Sequence, residues 1–259
     1  MCIRDSSLHW RRTWDVLLTV SSVLAPLLIG VALAGLLGGL PINSDQNFTG
    51  SFWVLLKPYP LWTGVTLVLL CLLNGATFLC LKTTGDMRER SWQIARRVAP
   101  VTGAFVIGFI IWTHVTAGRA FWLNVIELLA ILAVLAALWL VWDHREGFAF
   151  AATAVTTASC IISIFADLYP NVMVSSTNPA YNLTVHNTAS GGYSLKVMTV
   201  VVIILLPVVL AYQTWTYYVF RRRISRSEFQ PVPQPRTPPG ADRPGAAPEA
   251  TPPPSRQAT

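Results

Sequence analysis

Six apolar runs alternate along the chain with shorter polar segments. A helix needs roughly 20 mostly apolar residues to cross the hydrocarbon core of a bilayer. The runs therefore predict six membrane-spanning helices, at residues 14–39, 59–81, 98–117, 123–142, 148–169 and 197–220. None of them shows the two-residue alternation of a barrel strand. Unpaired backbone groups are too costly in lipid for an open sheet. The predicted fold class is an all-α polytopic membrane protein.

The composition agrees with this fold class. Of 259 residues, 53% are apolar and 12% are charged, and the charged share is about half that of a typical soluble domain. A soluble fold would have too few charges to cover its surface. The four cysteines, Cys2, Cys71, Cys80 and Cys160, have no paired spacing. They are more typical of small packing residues than of disulfides or zinc ligands.

The basic residues are distributed unequally between the two sides of the predicted membrane. One side receives Arg4, Arg11, Arg12, Lys82, Arg88, Arg90, Arg96, Arg97, Arg145, Arg221, Arg222, Arg223 and Arg226. The other side receives only Lys57, Arg119 and Lys196. Basic residues concentrate in cytoplasmic segments, so we expect both termini in the cytoplasm. The net charge of +7 is thereby explained by orientation, which argues against nucleic acid as a partner.

The two ends of the chain differ from the apolar middle. Residues 230–259 are mostly Pro, Ala, Gly, Arg and Thr, a composition that cannot form a core. Residues 225–259 are therefore predicted to form a disordered, Pro-rich cytoplasmic tail. Residues 1–8 are expected to be unstructured. Their opening six residues resemble sequencing-adapter read-through rather than a signal peptide, so we expect a chain truncated at its N-terminus.

Few ionisable side chains lie inside the predicted spans. His114, Glu127 and Asp167 fall at similar depth on three consecutive spans and are expected to form one cluster. One interpretation is a proton route, or a site facing bound quinone. The other is interfacial placement with hydrogen bonds between helices. Asn74, in the middle of the second span, is expected to hydrogen-bond to another helix.

Packing and metal chemistry give weaker signals. Gly30, Ala34 and Gly38 recur every four residues on one face of the first span. This spacing allows close approach of another helix, in this chain or in a partner. His114 is the only histidine within a predicted span, and membrane haems need axial ligands inside helices. We expect no haem and no metal bound by this chain.

Several strings of residues resemble subunit II of cytochrome bd quinol oxidase. In the first half these are Trp14-Asp15, Gly30, Gly35, Gly38, Gly39, Pro41, Asn74-Gly75-Ala76-Thr77-Phe78-Leu79, Lys82-Thr83 and Gly85. In the second half they are Tyr169-Pro170-Asn171-Val172-Met173, Ser175-Ser176-Thr177, Leu183-Thr184, Asn187, Leu195-Lys196-Val197-Met198-Thr199, Pro207, Tyr212, Trp215 and Tyr217. The resemblance extends from about His9 to Ile224.

The resemblance implies a particular architecture. Members of this family have about eight spans in two four-helix bundles, and this chain resembles the last six. Residues 9–97 would then hold two helices of an incomplete first bundle plus a cytoplasmic connection, and residues 98–224 the second bundle. Val174 stands where the family usually has proline, a change expected to soften the outer loop.

The resemblance also implies a function. The family forms a heterodimer in the bacterial inner membrane that oxidises quinol from the quinone pool and reduces oxygen to water. Haems b and d and the quinol site belong to subunit I, while subunit II supports the complex and contacts a lipid or quinone tail. No catalytic residue is therefore assigned to this chain. The alternatives are a multi-pass secondary transporter and a membrane scaffold subunit. A transporter usually has a polar site at the midplane, and this chain is nearly apolar there.

The predicted orientation can be tested by cysteine labelling. In a chain whose native cysteines are replaced by serine, Ser190→Cys should react with an impermeant maleimide added outside the cell. Ser227→Cys should react only after the membrane is opened. The physical reason is the bias of basic residues toward the cytoplasm. The reverse labelling pattern would contradict both the orientation and the predicted location of the loop at residues 171–194.

Overall fold

The computed structural model describes residues 8–44, 47–116, 125–189 and 191–219. Its long helices are α1 (Leu8–Gly38), α2 (Pro58–Lys82), α3 (Asp86–Thr116), α4 (Val125–Trp142), α5 (Glu146–Leu168) and α7 (Gly192–Val219). Between α5 and α7 lie strands β1 (Asn171–Met173) and β2 (Leu183–Thr184) and a short helix, α6 (Val185–Thr188). The strands pair in an antiparallel hairpin.

The predicted fold class is confirmed. All six long helices are long and apolar enough to cross a membrane, and each contains most of one predicted span. Ala117 and Phe220, the last residues of two predicted spans, and Leu123, the first residue of another, lie outside the described residues. α1, α3 and α5 begin on the side of the bundle on which α2 and α4 end. We call that side the basic side, after Lys82, Arg88 and Arg145, and the opposite side the far side.

The second connection differs from the prediction. Lys82 to Arg97 was predicted to be a connection, yet α3 already begins at Asp86, so only residues 83–85 join α2 to α3. Asp86 and Glu89 occupy the first turn of α3, where carboxylates complement the helix dipole. Hydropathy identifies the part of a helix that lies in the membrane. It does not identify polar turns, such as the first turns of α3, that extend the helix beyond the membrane. The predicted boundary between residues 97 and 98 accordingly falls inside α3, and the division into bundles stays a prediction.

α1 crosses α2 at a very close contact between glycines. A Cβ added to Gly30 would lie 2.7 Å from the Cα of Gly64, and one added to Gly38 would lie 3.2 Å from the ring of Tyr59. Ala34, between them on the same face, is completely buried. The small-residue face of α1 therefore packs against α2 of the same chain.

α2 to α5 pack around the core. One buried cluster contains Leu70, Val106, Phe109, Ile110, Ala130, Val134, Cys160 and Ile164, and a second, nearer the basic side, contains Leu73, Ala76, Ala95, Ala99, Val141 and Ala149. α7 differs, since none of its residues is buried against the rest of the described chain. Its ring contact with α2, Tyr217 to Phe78 at 6.4 Å between centroids, places its C-terminal end on the basic side.

The segment after α5 is attached to the far-side end of α1. Leu40 N donates to Val174 O at 3.0 Å, Val174 N to Leu36 O at 3.0 Å, and Ser176 N to Leu40 O at 2.9 Å. Gly39, at φ +85°, makes the turn beside Ser176, a conformation that favours glycine. A proline at position 174 could not donate to Leu36. The valine therefore adds a backbone bond here, contrary to the expected softening of the loop.

The glycine crossing gives a stability prediction. Gly30→Ala should force α1 away from the backbone of α2 and lower the free energy of unfolding by about 1–3 kcal/mol, the usual cost of overpacking. Gly35→Ala is the matched control on the same helix, because its Cβ would meet only Leu55 at an ordinary 3.7 Å. Unfolding midpoints in detergent, followed by tryptophan fluorescence, compare the two variants. Equal midpoints would contradict the prediction.

Candidate functional site

The structure brings His114 and Glu127 together at the far side. His114 Nδ1 lies 3.4 Å from Glu127 Oε2, and the Glu127 side chain is only 1% exposed. Each residue also suits its helix terminus, because Glu127 lies in the first turn of α4 and His114 in the last turn of α3. An acid near a helix N-terminus and a histidine near a C-terminus both complement the dipole.

Tyr59 and Thr113 extend this cluster. The Tyr59 hydroxyl lies 3.1 Å from Thr113 Oγ1 in a buried hydrogen bond between α2 and α3. Asp167, near the end of α5, is also buried. The five residues Tyr59, Thr113, His114, Glu127 and Asp167, here called the polar cluster, lie on four consecutive helices, and the contacts described join α2 to α3 and α3 to α4.

The sequence located three of these five residues. His114, Glu127 and Asp167 were identified as intramembrane ionisable groups. Tyr59 and Thr113 were missed, because tyrosine at the start of a span is typical of the membrane interface and threonine is common within spans. Their depth in the membrane could have identified them. Tyr59 begins the second predicted span at the same level at which Thr113 and His114 lie near the end of the third.

Asn74 is in contact with another helix. Thr153 Oγ1 on α5 donates to Asn74 Oδ1 at 2.8 Å. The same hydroxyl lies 2.8 Å from the Phe150 carbonyl of its own helix, so the Thr153 side chain is held in place from both sides. This bond joins α2 to α5, two helices that are distant in sequence.

A further set of contacts closes the basic side and was not predicted. Arg88 Nε donates to Glu146 Oε1 and joins the start of α3 to the start of α5. Glu146 is buried, so this bond gives its carboxylate the charged partner that a buried charge requires. Nearby, the His144 ring stacks on Trp92 with centroids 4.9 Å apart. Sequence spacing gives no signal for either pair, because the partners are more than fifty residues apart.

The described residues were compared with the ligand sets that metal ions and haem require. Among them, no group of three His, Cys, Asp or Glu side chains could hold a metal ion. Both ring nitrogens of His114 are enclosed by protein atoms, which leaves no accessible nitrogen for an axial bond to iron. Within the described part of the chain Cys71, Cys80 and Cys160 are free thiols. The chemistry supported by this geometry is hydrogen bonding between helices.

The known proteins that this chain resembles are subunits of cytochrome oxidases. The family model for cytochrome bd terminal oxidase subunit II matches residues 3–220. Cytochrome bd ubiquinol oxidase subunit 2 of Bacillus subtilis (strain 168) is 34% identical over 225 residues, covering 85% of this chain and 67% of the relative.

Two further relatives come from other bacteria. Cytochrome bd-I ubiquinol oxidase subunit 2 of Escherichia coli (strain K12) is 30% identical over 259 residues, covering 86% of this chain and 68% of the relative. Probable cytochrome oxidase subunit 2 of Haemophilus influenzae is 28% identical over 244 residues, covering 80% of this chain and 65% of the relative. The resemblance inferred from the sequence is thus confirmed, and the chain belongs to the cytochrome bd terminal oxidase subunit II family.

Proposed function

We propose that this chain is the subunit of a quinol:oxygen oxidoreductase that does not ligate haem. In this proposal it supports quinol oxidation and the reduction of oxygen to water, both carried out in a haem-bearing subunit I. The observation that carries the proposal is the family match over residues 3–220, together with relatives named as ubiquinol oxidase subunits.

The remaining parts of the proposal concern the assembly. The haems, of types b and d, would lie in subunit I, and the quinol would come from the membrane quinone pool. The complex would lie in the bacterial plasma membrane with both termini of this chain in the cytoplasm, as the basic-residue bias favours. The two-bundle division at residues 97/98 is retained as part of this proposal.

The oxidase role is better supported than the transporter or scaffold alternatives. Transporters bind substrates near the bilayer midplane, between broken helices. Here α2 and α5 are continuous, and the polar cluster lies at the far-side end of the bundle. A scaffold without a redox partner would not require the similarity to oxidase subunits.

Haem spectra of the purified chain test the proposal. We expect the chain purified without subunit I to carry no stoichiometric haem, because His114 offers no accessible nitrogen. When the tagged chain is coexpressed with a gene for subunit I, the haem-bearing subunit and quinol oxidase activity should copurify. A reduced-minus-oxidised band at one equivalent from the chain alone, lost in His114→Ala, would contradict the non-ligating role.

We further propose that the polar cluster holds helices together and does not carry protons in turnover. Its members contact partners on neighbouring helices: His114 lies against Glu127, and Tyr59 shares a hydrogen bond with Thr113. Bonds of this type contribute roughly 0.6–2 kcal/mol each between membrane helices. A proton route would additionally require that one member release its proton during turnover.

Glu127 distinguishes the two roles. Glutamine can hydrogen-bond to His114 but cannot release a proton, so Glu127→Gln in the assembled oxidase should leave oxygen consumption per haem nearly unchanged. Glu127→Leu should lower stability by roughly 0.6–2 kcal/mol, because the polar contact of Glu127 with His114, which joins α3 to α4, is lost. Leu128→Ala, at the exposed neighbouring position, is the control for nonspecific effects. A tenfold loss of turnover in Glu127→Gln with normal haem content, about 1.4 kcal/mol in the barrier, would support proton transfer instead.

A further inference from the structure

A small cavity lies between α1, α2, α3 and α5, in the half of the bundle nearer the far side. It is lined by residues from all four helices, among them Leu33, Leu70, Phe109, Cys160 and Ile164. All of its lining residues are buried or half-buried, so the cavity lies inside the group of helices. Its volume is about 20 Å³, above the roughly 10–15 Å³ that one water-sized molecule requires.

The cavity follows from the small residues beside the crossing of α1 and α2. Gly30 approaches Gly64 so closely that no side chain fits between them, and Gly30 itself forms part of the cavity wall. Next to this contact, α2 contributes the short side chains of Thr63 and Thr66, and α5 contributes Cys160. Protein interiors are otherwise closely packed. The void therefore remains where several small side chains from different helices meet.

The walls of the cavity offer few partners to a water molecule. Thr63 Oγ1 donates to Tyr59 O at 3.0 Å. Thr66 Oγ1 donates to Trp62 O at 2.8 Å, so both hydroxyl hydrogens are already used within α2. The other lining side chains are apolar, apart from the Cys160 thiol, which is a weak donor. Because a buried water typically makes about three hydrogen bonds, we expect this cavity to be dry.

We propose that this cavity binds one small apolar gas molecule, of the class that includes dioxygen and xenon. Apolar cavities in proteins stay dry and take up guests of this kind. The atoms around a void lack dispersion partners, and a guest restores these contacts without breaking a hydrogen bond. An ion or a polar ligand would lose its hydration here without compensation. The inference depends on the cavity alone and does not require the oxidase role.

Xenon-pressurised crystals test the proposal. The full chain is crystallised with the subunit that copurifies with it, exposed to xenon gas, and measured by anomalous scattering. We expect an anomalous difference peak between Leu70, Phe109 and Cys160. Cys160→Leu should remove this peak, because the larger side chain fills the cavity. Cys160→Ala should retain the peak, because the smaller side chain widens the cavity.

A matched control and the opposing outcomes complete the test. Cys71→Leu makes the same substitution at an exposed cysteine of α2, outside the cavity, and should leave the peak unchanged. Cys160→Ala keeps the test decisive where leucine at position 160 prevents folding. The absence of xenon from the cavity in both the unmodified protein and Cys160→Ala would overturn the proposal. An ordered water in its place, or a peak that persists in Cys160→Leu, would do the same.

Discussion

The arrangement of the described helices depends on the contact between Gly30 and Gly64. Two membrane helices gain little from the hydrophobic effect, because lipid is as apolar as their side chains, so close backbone packing has to supply the attraction. A Cβ on Gly30 would lie 2.7 Å from a backbone atom of α2, and the crossing therefore tolerates almost no side chain. On its far side the crossing brings Gly38 to Tyr59.

Polar bonds then determine which helices are neighbours. The polar cluster links α2 to α3 and α3 to α4 at the far side. Thr153 and Asn74 join α5 to α2 within the bundle, and Arg88 and Glu146 join α3 to α5 at the basic side. Other hydroxyl groups, such as those of Thr66 and Thr102, bond back to their own helices and specify no neighbour. A few bonds between helices, at different depths, are therefore enough to fix the order of packing.

The sequence predicts some of these features and not others, for a physical reason. Hydropathy and charge report how deep a residue lies, so the six helices and the common level of His114, Glu127 and Asp167 could be predicted. They do not report the direction in which a side chain points around its helix. For that reason the Tyr59–Thr113 bond and the Arg88–Glu146 ion pair were not anticipated. The helical extension from Asp86 was missed because it is polar, although its carboxylates suit a helix start.

The packing pattern has a consequence for the order in which the chain assembles during synthesis. Each of α2 to α5 packs against the helix made just before it, and α5 then also joins α2. A ribosome adding about 5–20 residues per second thus delivers every helix of this group to a neighbour that is already in the membrane. α7, which has no buried residue, gains almost nothing from the helices made earlier. Its placement is consequently the last and least constrained step of the chain's own assembly.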